Sequence, residues 1–241
     1  MDVHAFGAGA GGSRGYAKYN YAGSDSTVQA SGGKGGGAGQ SVYEINVSFT
    51  PFELFDIVIG EKGVGASASQ KDYSSSTSSS SAVDSLPGTR GGTSTCLGVT
   101  AEGGKADVTR SGVDSNKISI NVSKPMYGSD GADSTNFLFG EAVLGVLAGG
   151  DGGGGHTISG LFYYEATTSA GSNGGTPYGG KGGSIKPHIG SPSAGNGESA
   201  TGTAGGGGGG SSYADSGKNK LVCAKGGDGG DGAIFIRWFY A

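Results

Sequence analysis

The chain has 241 residues, 56 of them glycine and 6 proline, with a net charge of −4 and 15% charged residues. Such low, balanced charge excludes the basic patch of a nucleic-acid binder, and it argues against disorder, which at low hydrophobicity comes with high net charge. Hydrophobic residues still make up 34% and gather in short runs, so a packed core is expected although glycine and proline together reach the low-complexity range.

In chain order, the first residues, MDVHAFGAGAGG, show no charged segment leading into an apolar one, and no secretory signal is read there. No stretch approaches the roughly 18 apolar residues of a membrane span. A short strand is expected at 3–6, followed by a glycine block at 7–15 and a second at 32–39. Residues 40–49 alternate: Tyr43, Ile45, Val47 and Phe49 form one face, and Glu44, Asn46 and Ser48 the other. Thr50-Pro51 breaks that ladder and a second strand resumes at 54–59, so the pair is expected to form a hairpin-like corner with Pro51 where no donor is needed. Further strands are expected at 97–101, at 117–123 with Ile118, Ile120 and Val122 inward, at 136–148, at 156–165 and at 233–240. No segment of ten residues keeps an apolar helical stripe free of glycine, so no significant α-helix is expected.

The remaining glycine blocks lie at 149–155, 179–183, 202–210 and 226–232. Glycine loses the most freedom on folding, so these blocks are either mobile linkers or rods whose backbone groups pair with one another. Extended threefold helices of the polyproline II type can lie side by side where only glycine fits the contact. A bundle of such polyglycine helices is the favoured reading, because six long linkers inside one domain would make a poor core. The polar and aromatic segments 72–87, 124–135, 163–173, 185–193 and 211–220 then become loops at the rod tips.

Few motifs carry chemistry. GTPYGGKG at 175–182 has Gly182 where a phosphate-binding loop needs Ser or Thr. GGDGGD at 226–231 matches one unit of a calcium-binding repeat that works only in tandem, so Asp228 and Asp231 are read as turn and solvating residues. His4, His156 and His188 have no partners at catalytic spacing, and each is read as an ordinary strand or loop residue. No cofactor, metal or catalytic activity is expected. Cys96 and Cys223 are read as two buried thiols, with a disulfide as the alternative. Asn46-Val-Ser48 and Asn121-Val-Ser123 are formal glycosylation sequons. Tyr73, Tyr127, Tyr163, Tyr164, Tyr178, His188 and Tyr213 lie in or beside the loops, a setting of recognition chemistry.

Four segments together resemble the glycine-rich domain of minor structural and tail-fibre proteins of bacteriophages. They are GAGAGG at 7–12, VSFTPFELFDIVIG at 47–60, GGTSTCLGVTAEGG at 91–104 and the run from Gly226 to Trp238. Glu61-Lys62 and Cys96 depart from the family's usual pattern. The architecture is also similar to the polyglycine-helix adhesins at the tips of long tail fibres, in which variable loops contact the host. The resemblance implies a non-enzymatic virion protein, assembled in the host cytoplasm, of a tail fibre, tail tip or capsid appendage. Its expected partners are other virion proteins (a fibre shaft or capsid), a host-surface glycan or outer-membrane protein, and further copies of itself. The expected fold is all-β: one domain spanning 1–241, a jelly-roll-like β-sandwich with a polyglycine bundle, strand-rich at about 40–60, 117–165 and 233–240. Receptor contact is expected from 124–135, Pro177-Tyr178, 186–188 and 213–220, with Tyr127, Tyr178, His188 and Tyr213 as the candidate residues. A purely architectural role is the alternative, and an extracellular glycine-rich or ice-binding protein a lesser one, since the blocks are too irregular for a repeated ice-binding face.

Overall fold

The computed structural model describes residues 1–22, 25–74, 80–106, 180, 193–215 and 219–239, together with short strands at 113–114, 117–118, 157–160, 167–169 and 185–186. All regular elements among the described residues are strands, in antiparallel sheets. They are numbered in chain order below.

Two small sandwiches face away from each other across a bundle of glycine-rich rods. The proximal sandwich pairs two three-stranded sheets. In one, β1 (Asp2–Phe6) lies between β18 (Ala233–Arg237) and β4 (Ser41–Glu44). In the other, β8 (Ser94–Cys96) lies between β5 (Ile57–Val58) and β9 (Val99–Ala101). Val3 and Ala5 on β1 meet Cys96, Val99 and Ala101, with Val42, Val47, Phe55, Ile234 and Ile236 packed around them. The period-two burial of β8 and β9 puts alternate residues into this core.

The distal sandwich pairs two four-stranded sheets. One runs β12 (Thr157–Gly160), β3 (Asp25–Ser31), β2 (Tyr16–Ala22), β7 (Ser81–Val83). The other runs β13 (Thr167–Ser169), β16 (Ser212–Asp215), β17 (Lys220–Cys223), β6 (Ser69–Asp72). Its core contains Ala17, Tyr19, Tyr73, Val83, Leu221 and Cys223. Two isolated hairpins complete the strands: β10 (Val113–Asp114) with β11 (Lys117–Ile118), and β14 (Ile185–Lys186) with β15 (Ser193–Ala194).

The rods run between the sandwiches, and the central one is 7–14. Its N–H groups serve three neighbours in rotation. Gly7, Ala10 and Ser13 donate to the carbonyls of Gln40, Gly37 and Lys34; Ala8, Gly11 and Arg14 donate to Gly92, Thr89 and Leu86; Gly9 and Gly12 donate to Gly230 and Gly227, all at 2.8–3.0 Å. This threefold rotation is the geometry of a polyglycine helix. Its carbonyls accept from three further rods: Gly9 and Gly12 from Gly63 and Ala66, Ala10 and Ser13 from Gly207 and Gly210, and Ala8 from Gly104. The register shows that the three acceptor rods run antiparallel to the centre, whereas the rods at 63–66 and 207–210 run parallel to it. Bonds among the outer rods close a hexagon in the order 32–40, 102–105, 86–93, 60–66, 224–232, 204–211. An eighth rod, 195–200, packs outside the last two through Gly208 to Glu198 and Gly197 to Lys225.

Rods were thus legible at 7–15, 32–39, 202–210 and 226–232, but those at 60–66, 86–93, 102–105 and 195–200 were not, because fewer of their residues are glycine. Glu61-Lys62 does not interrupt the packing, since Gly60 and Gly63 still meet neighbouring rods. The block at 149–155 and the expected strand at 136–148 lie outside the described residues, as does most of 179–183 and of 117–123.

Three strand expectations need correction. The segments at 40–49 and 54–59 form no hairpin: β4 pairs with β1, and β5 with β8. The alternation from Tyr43 to Phe49 ends at Asn46, whose φ of 56° turns the chain out of the ladder. Ile45 and Phe49 are therefore exposed, and Val42 packs on the core instead. Finally, the last strand, expected at 233–240, ends at Arg237, and among the described residues it is an edge strand. The order of rods explains this, because the central rod delivers β1 and a peripheral rod delivers β18.

Candidate functional site

Rod direction decides where the connections gather. The rod at 102–105 rises from β9 towards the distal sandwich, and the rod at 195–200 runs back from it. Between them in sequence the described strands β12 and β13 join the distal sheets, where β12 pairs with β3 and β13 with β16. The β2–β3, β6–β7 and β16–β17 connections lie at the same end.

Of the four candidate residues, Tyr127, Tyr178 and His188 lie outside the described residues. Tyr213 sits on β16 rather than on a tip, half-buried, aligned with Thr168 on one side and Val222 on the other. Beside it, Ser212 Oγ donates to the Tyr16 carbonyl at 3.0 Å, tying β16 to the opposite sheet. Tyr73, which also stood among the loop aromatics, is 6% exposed and stacks on Tyr19 with ring centroids 4.1 Å apart. That pair is core. The segments 72–87 and 211–220, read as loops, contain β7, β16 and the start of β17. Serine, alanine and tyrosine there give no strong apolar alternation, so local pattern does not mark these segments as strands.

The two ends differ in surface chemistry. The distal strand β6 shows Gln70, Lys71 and Asp72 to solvent. The proximal end shows Ile45, Phe49, Phe52, Leu54, Trp238 and Phe239, with the β5 residues Ile57 and Val58 half exposed. This apolar face was not legible in the sequence, because the run at 54–59 marks a strand without saying which of its sides is covered. A signal existed in Pro51-Phe52, where a corner places an aromatic next to a turn.

The titratable groups that burial perturbs are structural. His4 is 3% exposed, its Nε2 lies 2.7 Å from Ser41 Oγ, and burial lowers its pKa to about 4. Burial pushes the Cys223 thiol up to about 12 and also raises Cys96. The two cysteines are free and lie in different cores at opposite ends of the bundle. Asp228 and Asp231 accept from backbone: their Oδ1 atoms take the N–H groups of Gly65 at 2.9 Å and Lys62 at 3.1 Å. Among the described residues no group of three or more His, Cys, Asp or Glu could hold a metal ion, and no helix is long and apolar enough to cross a membrane.

Rods of glycine joined to short antiparallel sheets define a glycine-rich, all-β protein. The model of the glycine-rich domain family matches residues 1–239, and the chain belongs to that family. No curated protein matches it.

Proposed function

We propose that this chain is a virion structural protein of a tail fibre, tail tip or capsid appendage, and that its distal loops bind a receptor on the host surface. The observation that carries this reading is the hexagonal rod bundle with the connections of the distal sandwich gathered at one end. Eight residues of polyglycine helix span about 25 Å, so the central rod holds those connections well away from the proximal end. Loops on a rigid scaffold are where binding specificity commonly resides. The bundle offers rigidity and few side chains, and the loops offer variety. The role is one of binding, without catalysis, in a particle assembled in the host cytoplasm.

A purely architectural role has one observation in its favour, the apolar proximal face, which suits assembly without any receptor. The two readings separate in a binding experiment. Purified protein should adsorb to host cells and compete with infection. Joint replacement of Tyr127, Tyr178, His188 and Tyr213 by alanine should abolish that binding while the fold survives by circular dichroism. Unchanged binding in the quadruple variant would remove the loop assignment, and wild-type protein that neither binds nor competes would favour architecture.

A further inference from the structure

We propose that the proximal apolar face is an interface between two copies of this chain. Phe52 and Leu54 are 106% and 97% exposed. Phe52 is held at a φ of 66°, a strained backbone for a bulky residue. A strained turn that points an aromatic ring into water does nothing for the folding of the monomer. The rest of the face is pre-organised: Phe49 and Trp238 meet edge-to-face at 5.1 Å, and Arg237 lies 5.0 Å from the Phe239 ring centre.

The area fits a dimer. With about 150–250 Å² for each aromatic side chain, Phe49, Phe52, Trp238 and Phe239 alone expose on the order of 500 Å². Adding Leu54 and the half-exposed residues of β5 brings the face near the roughly 800 Å² per partner of a standard interface. An ordinary monomer's largest apolar patch is about 300–600 Å².

Two features select an identical copy as the occupant. First, β18 and β5 are edge strands on the same side of the proximal sandwich. Gly232 N–H donates to the Gly60 carbonyl at 2.9 Å where their rods meet. A twofold axis beside β18 would pair it antiparallel with its own copy, joining two three-stranded sheets into one and covering both edges. Second, the face carries exposed charges of both signs, Arg237 and Lys62 as well as Glu53 and Asp56. An identical face therefore meets no field of like charge.

The inference is independent of receptor binding at the distal end. Sedimentation of the full chain over a concentration series tests it. Wild type should show a reversible monomer–dimer equilibrium. The F52D/L54D variant should dimerise roughly 30-fold more weakly or not at all, as for loss of interface anchors. Its circular dichroism and thermal unfolding should match wild type, because both side chains are fully exposed in the monomer. Q70D, a change on the distal surface, should dimerise normally. Wild type that stays monomeric at every concentration would overturn the proposal, as would a dimer indifferent to F52D/L54D. Monomeric wild type that co-sediments with phosphatidylcholine vesicles, while F52D/L54D does not, would assign the face to lipid and equally overturn it.

Discussion

A methyl group at Gly207 would come closer than 3.0 Å to the carbonyl of Gly227 on the neighbouring rod. Backbone on both sides is hydrogen-bonded and has nowhere to move. Gly207→Ala should therefore cost about 3 kcal/mol or more, beyond ordinary overpacking, or prevent folding. Gly98 is the contrast: it needs only its φ of 80° in the β8–β9 turn and has open space around it. Gly98→Ala should cost about 1 kcal/mol, the strain of a left-handed residue. Denaturant titration of the pair separates close approach from backbone conformation as the reason for glycine. His4 sets an acid limit. Its folded pKa of about 4 lies below the ordinary 6.5, so the unfolded chain takes up the proton first. Stability is full above pH 6.5 and falls as the pH drops from 6.5 through 4, by up to about 3 kcal/mol. His4→Gln should flatten that part of the stability–pH curve.

Among the elements, the last rod shows how threefold geometry reads its sequence. In GGDGGDG, Gly226, Gly229 and Gly232 donate to the rod at 60–66, while Gly227 and Gly230 donate to the rod at 204–211. The third column, Lys225, Asp228 and Asp231, carries the side chains, and the N–H groups of Lys225 and Asp228 turn to Asn196 and Ser199 on the rod at 195–200. Two of these, Asp228 and Asp231, bind N–H groups of the 60–66 rod. Replacing both by alanine removes two acceptors, at about 1 kcal/mol each. In native-state hydrogen exchange the Lys62 and Gly65 amides should speed up selectively. The Gly207 and Gly210 amides, bonded to the central rod, should remain among the slowest in the protein. Rapid exchange throughout 202–210 would be incompatible with an ordered bundle.

For the whole molecule, the two cores report on the two ends separately. Cys96 lies in the proximal core and Cys223 in the distal one, so no intramolecular disulfide joins them. Both thiols should resist an aqueous thiol reagent in the native protein, since burial holds each in its protonated form. Under denaturant, reaction of the two at the same rate would show that the bundle couples the ends into one cooperative unit. Earlier reaction of one would show that its sandwich opens first. Both termini of the described chain lie at the proximal end, through the pairing of Asp2 with Arg237.

The all-β class, the lack of helix among the described residues and four of the rods follow from local pattern, because a glycine block or a period of two is a property of consecutive residues. β1, β9 and β18 were legible for that reason. What no local pattern carries is the neighbour each rod meets. The rods at 60–66, 86–93 and 102–105 were hidden because only those of their residues facing another backbone must be glycine. The strands around Tyr19 and Tyr213 were hidden because their serines, alanines and tyrosines give no strong apolar alternation. An apolar residue such as Trp238 or Phe239 is interior or surface only once the rod carrying it has taken a central or a peripheral place in the hexagon. Composition thus determined that glycine backbones would pack against one another, and tertiary structure decided which strand stands at the centre and which at the edge.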